Sequence, residues 1–254
     1  MDELVSIIMP SYNTAQYISE SIRSVQMQTY TNWELLIVDD NSTDDTDHVV
    51  KEYLADKRIR YLKNDHNSGA ALSRNKALRE SKGRWIAFLD SDDLWIPEKL
   101  EKQLNFMNEN KYHFSYTDYE EIDENGKTRG IKVTGPDKIT RTGFFNYCWP
   151  GCLTVMYDKN YVGEVQVADI RKNNDYAMWL AVSRNAACHL LHENLARYRK
   201  RNGSISNHGY LSLVKWHYRL FREAENEDVL IAAFNTLRNL FFGVIKKIKY
   251  VKRK

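Results

Sequence analysis

Cysteine is scarce. Three occur in 254 residues, Cys148, Cys152 and Cys188, an odd count in a long chain, which excludes a disulfide scaffold and predicts free thiols in a reducing compartment. Neither G-x-G-x-x-G nor G-x-x-x-x-G-K-[ST] is present, so a glycine-rich phosphate cradle is not supported. No apolar run approaches the roughly 18 residues of a membrane span. The start, with Asp2 and Glu3 ahead of a short apolar run from Val5, has neither the charge nor the length of a secretory signal, and a cytoplasmic protein is expected. Internal repeats and low-complexity linkers are also missing. Acids are missing from the end: between Phe242 and Lys254, Lys246, Lys247, Lys249, Lys252, Arg253 and Lys254 meet none. Without those six bases the formal charge of +3 becomes −3. A mildly acidic body with a basic tail argues against nucleic acid as a partner. Apolar residues at 43% and charged residues at 28% exclude a disordered or collagen-like chain and leave an ordinary globular one.

The first hundred residues alternate two periodicities. Val5-Ser6-Ile7-Ile8-Met9 reads as a buried strand. Ile18, Ile22 and Val25 then recur at helical spacing. Trp33 to Val38 forms a second strand, stopped by Asp39-Asp40-Asn41-Ser42. A helix with Val49, Val50, Tyr53 and Leu54 inward follows, then a short strand Ile59–Leu62, a helix from Ala70 to Ser81 with Gly83 as its cap, and a strand Trp85–Leu89. Pro97 and Glu98 open the next helix. Strand and helix in alternation predict an α/β fold, a mostly parallel sheet flanked by helices. Such sheets bind ligands at the carboxyl ends of their strands. Here those ends carry Ser11-Tyr12-Asn13, Asp39-Asp40, and Asp90 with Asp92 and Asp93.

Acids gathered at one sheet edge repel unless a cation lies among them. The spacing Asp90-x-Asp92 puts two carboxylates on one side of an extended chain. Hard oxygen donors of this kind suit Mg²⁺ or Mn²⁺, which keeps positions open for phosphate and water. The competing reading is that Ser91-Asp92-Asp93 is a turn and helix cap ahead of Pro97. Asp39 to Thr43 carries the same ambiguity: Asn41 to Thr43 reads as capping, leaving one Asp free to accept from a base N–H or a ribose hydroxyl.

Four segments in order carry a resemblance: Val5 through Pro10-Ser11-Tyr12-Asn13; Val38-Asp39-Asp40-Asn41-Ser42-Thr43-Asp44; Asn67-Ser68-Gly69 with Ala70 to Arg74-Asn75; and Phe88-Leu89-Asp90-Ser91-Asp92-Asp93. Over about residues 4–110 the chain resembles glycosyltransferase family 2. The likeness continues more weakly through Asn174-Asp175-Tyr176 to Leu180 and Tyr198-Arg199 to Gly203-Ser204-Ile205-Ser206, a pattern of bacterial enzymes that build surface polysaccharides, teichuronic acid included. The resemblance implies a GT-A fold, a divalent metal (Mn²⁺ or Mg²⁺) and inverting transfer from a nucleotide-diphosphate sugar, UDP being expected, to a glycan or polyprenyl-linked acceptor. It implies that Pro10, Tyr12, Asp39 and Asp40 hold the base and ribose, that Arg74 lies near the base or diphosphate, that Asp92 is the principal metal ligand with Asp90 on ribose or metal, and that Asp175 is the general base. An acid often precedes that base in the family, and Asn174 stands in its place. Asp175 equally reads as a helix N-cap ahead of Tyr176–Val182. The expected division is a donor half over 1–105, an acceptor half over 106–206, and a helical, basic, membrane-facing extension over 207–254. The rival readings are a sugar nucleotidyltransferase, which would need a basic motif near the first strand, and a non-catalytic nucleotide-sugar-binding subunit.

Other features bear less weight. Cys148-x₃-Cys152 and Cys188-His189 with His192 fit no structural zinc spacing. Trp149-Pro150-Gly151 is a candidate sugar-stacking platform or plain packing. Arg197, Arg199, Lys200 and Arg201 around Tyr198 read as a basic loop over the diphosphate or as a solvated one. Leu237, Leu240, Phe241, Val244, Ile245 and Ile248 form an apolar helical stripe beside the six bases, which suits an interfacial helix on an anionic membrane at the inner face. The alternative is a helix packed on the core.

Overall fold

The computed structural model describes residues 3–201 and 210–253; Gly203-Ser204-Ile205-Ser206 and Lys254 lie outside them. The first half holds β1 (Val5–Ser11), α1 (Ile18–Gln26), β2 (Trp33–Asp39), α2 (Thr46–Lys51), β3 (Ile59–Lys63), α3 (Ala70–Glu80) and β4 (Trp85–Phe88). Every residue of β1 and β2 is buried because both sheet faces are covered. Ile8, Leu36, Val38, Ile86 and Phe88 share one core with Ala71, Ala77 and Leu78 of α3. Ile7, Met9, Leu35, Ile37 and Ala87 share the other with Ile18, Ile22 and Val25 of α1. A strand covered twice needs apolar residues on both sides, hence the near-unbroken runs in the sequence.

The second half holds β5 (Leu94–Trp95), α4 (Lys99–Asn110), β6 (Phe114–Ile122), β7 (Thr128–Val133), β8 (Lys138–Ile139), α5 (Arg141–Asn146), β9 (Met156–Asp158), α6 (Lys159–Val162), α7 (Asn174–Val182), β10 (Cys188–Arg199), α8 (Tyr210–Arg219), α9 (Val229–Lys249) and β11 (Val251–Arg253). Among the described residues the strands form one sheet in the order β11-β7-β6-β9-β4-β1-β2-β3, with β10 beside β6, β5 and β8. Pairing is parallel across β4-β1-β2-β3 and antiparallel where β9 meets β4 and β6 and where β7 meets β6. The contiguous parallel part is therefore the first hundred residues, and β10 adds a further parallel pair with β6. From β1 the chain goes to one side for β2 and β3 and returns to the other for β4, which opens a crevice at the carboxyl ends of β1 and β4.

Two expectations need correction. Gly83 does not cap α3, whose C-cap is Ser81. A Cβ at Gly83 would lie 2.6 Å from the Leu4 carbonyl and 2.7 Å from the Ser6 nitrogen, so glycine is needed there for the close approach to β1. The tail is not a free helical end either. α9 stops at Lys249, and Lys252 and Arg253 pair as β11 with β7.

The orientation of α9 is inverted. Its buried residues are Ala232, Asn235, Thr236 and Asn239, whereas Leu230 (81% exposed), Phe234, Leu237, Phe241, Val244 and Ile248 (79%) face outward. Arg238 Nε donates to Asn146 Oδ1 at 2.5 Å, and Asn239 Nδ2 to the Tyr176 hydroxyl at 2.6 Å. Lys246, expected in a solvated basic stripe, turns inward and donates to the carbonyls of Trp149 (2.8 Å) and Cys148 (3.2 Å). Over 21 residues α9 is long and apolar enough to cross a membrane, which the search for an unbroken run missed because Asn, Thr, Arg and Lys interrupt it. Those same residues bind it along the domain.

Candidate active site

The loop after β4 is the centre of the site. Asp90 and Asp92 reach its surface, while Asp93 is buried. The backbone N–H of Asp93 closes a turn onto the Asp90 carbonyl at 3.1 Å. Asp93 Oδ1 accepts from the backbone N–H of Arg199 at 2.8 Å, and burial together with Asp92 and Asp90 pushes its carboxyl well above the usual range. The Asp92 carboxyl is also raised, by burial and then by Asp90, against the pull of Arg201, whose Nε stands 2.7 Å from Asp92 Oδ2.

Arg74 joins this loop to the start of α7. It is buried on α3, donating through Nη2 to Asp90 Oδ1 at 2.6 Å and through Nη1 to Asn174 Oδ1 at 2.8 Å. One guanidinium thus ties the end of β4 to the first residue of α7. Asp175 follows inside the first turn of α7, whose N-cap is Asn173 in a left-handed conformation (φ 59°), so Asp175 is not the cap. A helix N-terminus favours an ionised carboxylate, but burial wins. The Asp175 carboxyl is raised by desolvation and by Asp90, with Arg74 opposing. Asn174, neutral beside Asp175, supplies an acceptor to Arg74 without adding a third charge.

The carboxylates after β2 divide their work differently from the expectation. Asp39 is buried and taken up by its own turn, accepting from the Ser42 backbone at 3.2 Å, from the Ser42 hydroxyl, and from the Tyr61 hydroxyl at 3.1 Å. Asp40 accepts from Asn64 Nδ2 (2.8 Å) and the backbone N–H groups of Ser68 (2.8 Å) and Gly69 (2.7 Å), so it fastens the loop ahead of α3. Asn41 to Thr43 do not cap a helix. Thr43 N–H instead donates to Asn13 Oδ1 (2.9 Å), and Asp44 accepts from the Thr46 N–H and hydroxyl at the start of α2, whose N-cap, Asp45, makes no side-chain cap bond. Pro10 lies within β1 opposite Val38, and Tyr12 stands exposed at the crevice mouth.

The basic residues near Tyr198 are not a loop. Arg197 and Arg199 belong to β10. Arg197 pairs with Glu120 at 2.9 Å, and Lys200 lies over the Tyr198 ring at 4.9 Å. Arg199 is fully buried and donates to the carbonyls of Asp92 (2.7 Å) and Glu124 (2.9 Å) and to Glu20 Oε2 (2.6 Å). It is a clamp on the acidic loop, and only Arg201 faces the acids as a charge. Sequence spacing carried no sign of this, because the partners lie 75 to 179 residues away. Trp149 is buried, donating Nε1 to the Gly143 carbonyl at 2.9 Å, with its ring edge-on to Phe242 and Tyr250. Packing accounts for it better than an open platform. Cys148, Cys152 and Cys188 are free thiols raised by burial.

A divalent cation fits this donor set. Among the described residues no group of three or more His, Cys, Asp or Glu side chains is placed to enclose a metal. Mg²⁺-type sites instead take one or two carboxylates and complete the shell with water and phosphate. Asp92, with Asp90 beside it, offers hard oxygens whose ionised forms repel, and an added positive charge relieves that repulsion.

Comparison with known proteins agrees with the geometry. The family described as glycosyl transferase family 2 matches residues 6–150. TuaG of Bacillus subtilis (strain 168), a glycosyltransferase provisionally named for teichuronic acid biosynthesis, is 41% identical over 224 residues, covering 87% of this chain and 88% of its own. WfgD of Escherichia coli, named as a UDP-Glc:α-D-GlcNAc-diphosphoundecaprenol β-1,3-glucosyltransferase, is 42% identical over 216 residues, 84% of each chain. The crystal structure of S. aureus TarS 1-349 in complex with UDP-GlcNAc superposes with a TM-score of 0.72 at 21% identity, covering 87% of this chain and 65% of that one. At that identity it shows the shared fold alone.

Proposed function

The chain belongs to glycosyltransferase family 2 and is a glycosyltransferase with a GT-A fold; from that premise we propose that it performs inverting, metal-dependent transfer of a sugar from a UDP-sugar to a lipid-linked glycan acceptor in cell-surface polysaccharide synthesis. The observation that carries the reading is the Arg74 bridge. It brings the Asp90–Asp93 loop and Asp175, about 80 residues apart in sequence, to one crevice at the carboxyl edge of the sheet.

In this reading residues 1–105 hold the donor. Pro10, Tyr12, Asp39 and Asp40 shape the base and ribose site, with Asp40 also fixing the loop before α3. Arg74 and Arg201 lie beside the acids as fixed positive charges. Asp92, with Asp90 beside it, would hold a Mn²⁺ or Mg²⁺ ion, whose charge would offset that of the leaving diphosphate. Residues 106–206 present the acceptor and the base. Asp175 takes the acceptor hydroxyl proton while that oxygen bonds to the anomeric carbon and the bond to the diphosphate oxygen breaks, a contribution of about 10²–10⁴ in rate. Burial raises the Asp175 carboxyl, which makes it a stronger base, and Arg74 opposes the rise.

Residues 207–254 hold the enzyme at the inner face of the membrane. The outward apolar row on α9 with Lys247 and Lys249 at its end supports an in-plane helix on anionic lipid. The name of WfgD, with its diphosphoundecaprenol acceptor, supports a lipid-linked substrate. The test is UDP release from a panel of UDP-sugars with Mn²⁺ or Mg²⁺, wild type against Asp92→Ala. Metal-dependent release lost in the variant is expected. Failure of the wild type to bind any UDP-sugar while binding a GDP- or dTDP-sugar would overturn the UDP assignment.

A further inference from the structure

Beneath α9 lies a cavity of about 300 Å³, at the small end of ligand pockets and separate from the acidic loop. Its walls are of two kinds. Trp149, Phe242, Tyr250 and Ile245 make an apolar side, with the Trp149 ring centroid 6.2 Å from Phe242 and 5.5 Å from Tyr250. Lys138 of β8 and Lys249 of α9 bring two ammonium groups, and no Asp or Glu lines it. Both lysines are exposed, so an apolar wall with cations at its rim suits an amphiphilic anion, whose charged end meets the ammonium groups while its apolar part is covered.

Position narrows the class. Phe242, Ile245 and Lys249 line the cavity, and each is the immediate neighbour of an outward apolar residue on the same helix, Phe241, Val244 and Ile248. A chain leaving the cavity passes round the helix onto the exposed row. On the inner side Trp149 borders the cavity while its carbonyl and that of Cys148 are held by Lys246. Tyr176, the residue after Asp175 on α7, donates its hydroxyl to the Phe144 carbonyl of α5, and Gly143 and Asn146 of α5 line the cavity, which ties the cavity to the helix that carries the base.

We propose that this cavity is the seat of the phosphate-bearing end of an isoprenoid-linked acceptor, with Lys138 and Lys249 on the phosphate oxygens and Trp149, Phe242 and Ile245 against the first isoprene unit. The proposal rests on the lipid-linked acceptor reading above and assigns it to residues. Nothing covalent happens there; the site fixes how far the acceptor sugar extends towards Asp175.

Titration calorimetry with farnesyl diphosphate, inorganic diphosphate and farnesol tests it, each run with the donor site saturated by UDP and Mn²⁺ so that diphosphate cannot occupy it. Farnesyl diphosphate is expected to bind more tightly than either fragment, and Lys138→Ala/Lys249→Ala to weaken it by about 10- to 100-fold, the loss of charge-assisted contacts. UDP affinity, the check on folding, stays at the wild-type value. Inorganic diphosphate binding as well as the farnesyl compound would overturn the proposal in favour of a plain phosphate site, as would a double variant that binds like the wild type. Turnover separates this from the parent reading. If a lipid-linked acceptor is used with an unchanged KM by the double variant, the cavity assignment falls and the acceptor reading stands. If the wild type glycosylates only lipid-free acceptors, the acceptor reading falls.

Discussion

Replacing Arg199 separates a clamp from a catalytic loop. The side chain is fully buried, and three of its contacts would be lost in Arg199→Met: those to the carbonyls of Asp92 and Glu124 and to Glu20. Glu20 is half exposed, so its share is small. The two carbonyls, in partly buried surroundings, are left without this partner, at about 1–3 kcal/mol each. Loss of about 3–5 kcal/mol of folding stability follows, and for a chain of this size each kcal/mol moves Tm by about 2–4 °C. A fall of about 10 °C in thermal unfolding is the expected result, accompanied by weaker metal-dependent UDP binding as the Asp92 segment loosens. Arg197→Ala, which removes only the partly exposed pair with Glu120, serves as the comparison and should cost less than about 1 kcal/mol. Equal effects from the two substitutions, or wild-type stability in Arg199→Met, would refute the reasoning.

Further expectations follow from the same geometry. Because the Asp175 carboxyl is raised by burial and Asp90 and lowered by Arg74, the acid limb of kcat/KM should lie above the usual carboxylate range and move further up in Arg74→Gln; a limb in the ordinary range would contradict the buried placement. His217, on α8, is held down to about 4 by burial. The unfolded chain takes up its proton first as pH falls, so stability present above about 6.5 drains away between about 6.5 and 4, by about 3 kcal/mol. Urea unfolding at pH 7 and pH 5 should show about 2 kcal/mol of that loss, and His217→Phe should flatten it. Gly83→Ala forces a Cβ into the Leu4 carbonyl and Ser6 nitrogen and should cost about 1–3 kcal/mol, whereas a surface-like loss of a few tenths in denaturant unfolding would show that β1 yields.

The fold was largely legible because its parallel half depends on local signals. The apolar runs of β1 and β2, the helical spacing of Ile18, Ile22 and Val25, and the acid-rich stops after β2 and β4 each speak for themselves within a few residues. What escaped the sequence depends on residues far apart. Arg199 looked like a member of a basic stretch because its partners, at Asp92, Glu124 and Glu20, are remote. Lys246 looked solvated because the carbonyls that receive it come from the loop before β9. The amphipathic pattern of α9 was visible, but not that its polar side is the one turned inward. Asn174 was noticed as a departure from the family pattern, and only Arg74 gives it a purpose.

The central claim is that Asp175 is the base of a donor site built on Asp92. Asp175→Asn keeps the side-chain shape and removes the proton acceptor, so the decisive measurement is its UDP-sugar affinity beside its single-turnover rate with acceptor present. The account predicts donor binding at the wild-type value and a rate lower by about 10²–10⁴. A rate within a few-fold of wild type would contradict it and return Asp175 to a structural role at the start of α7.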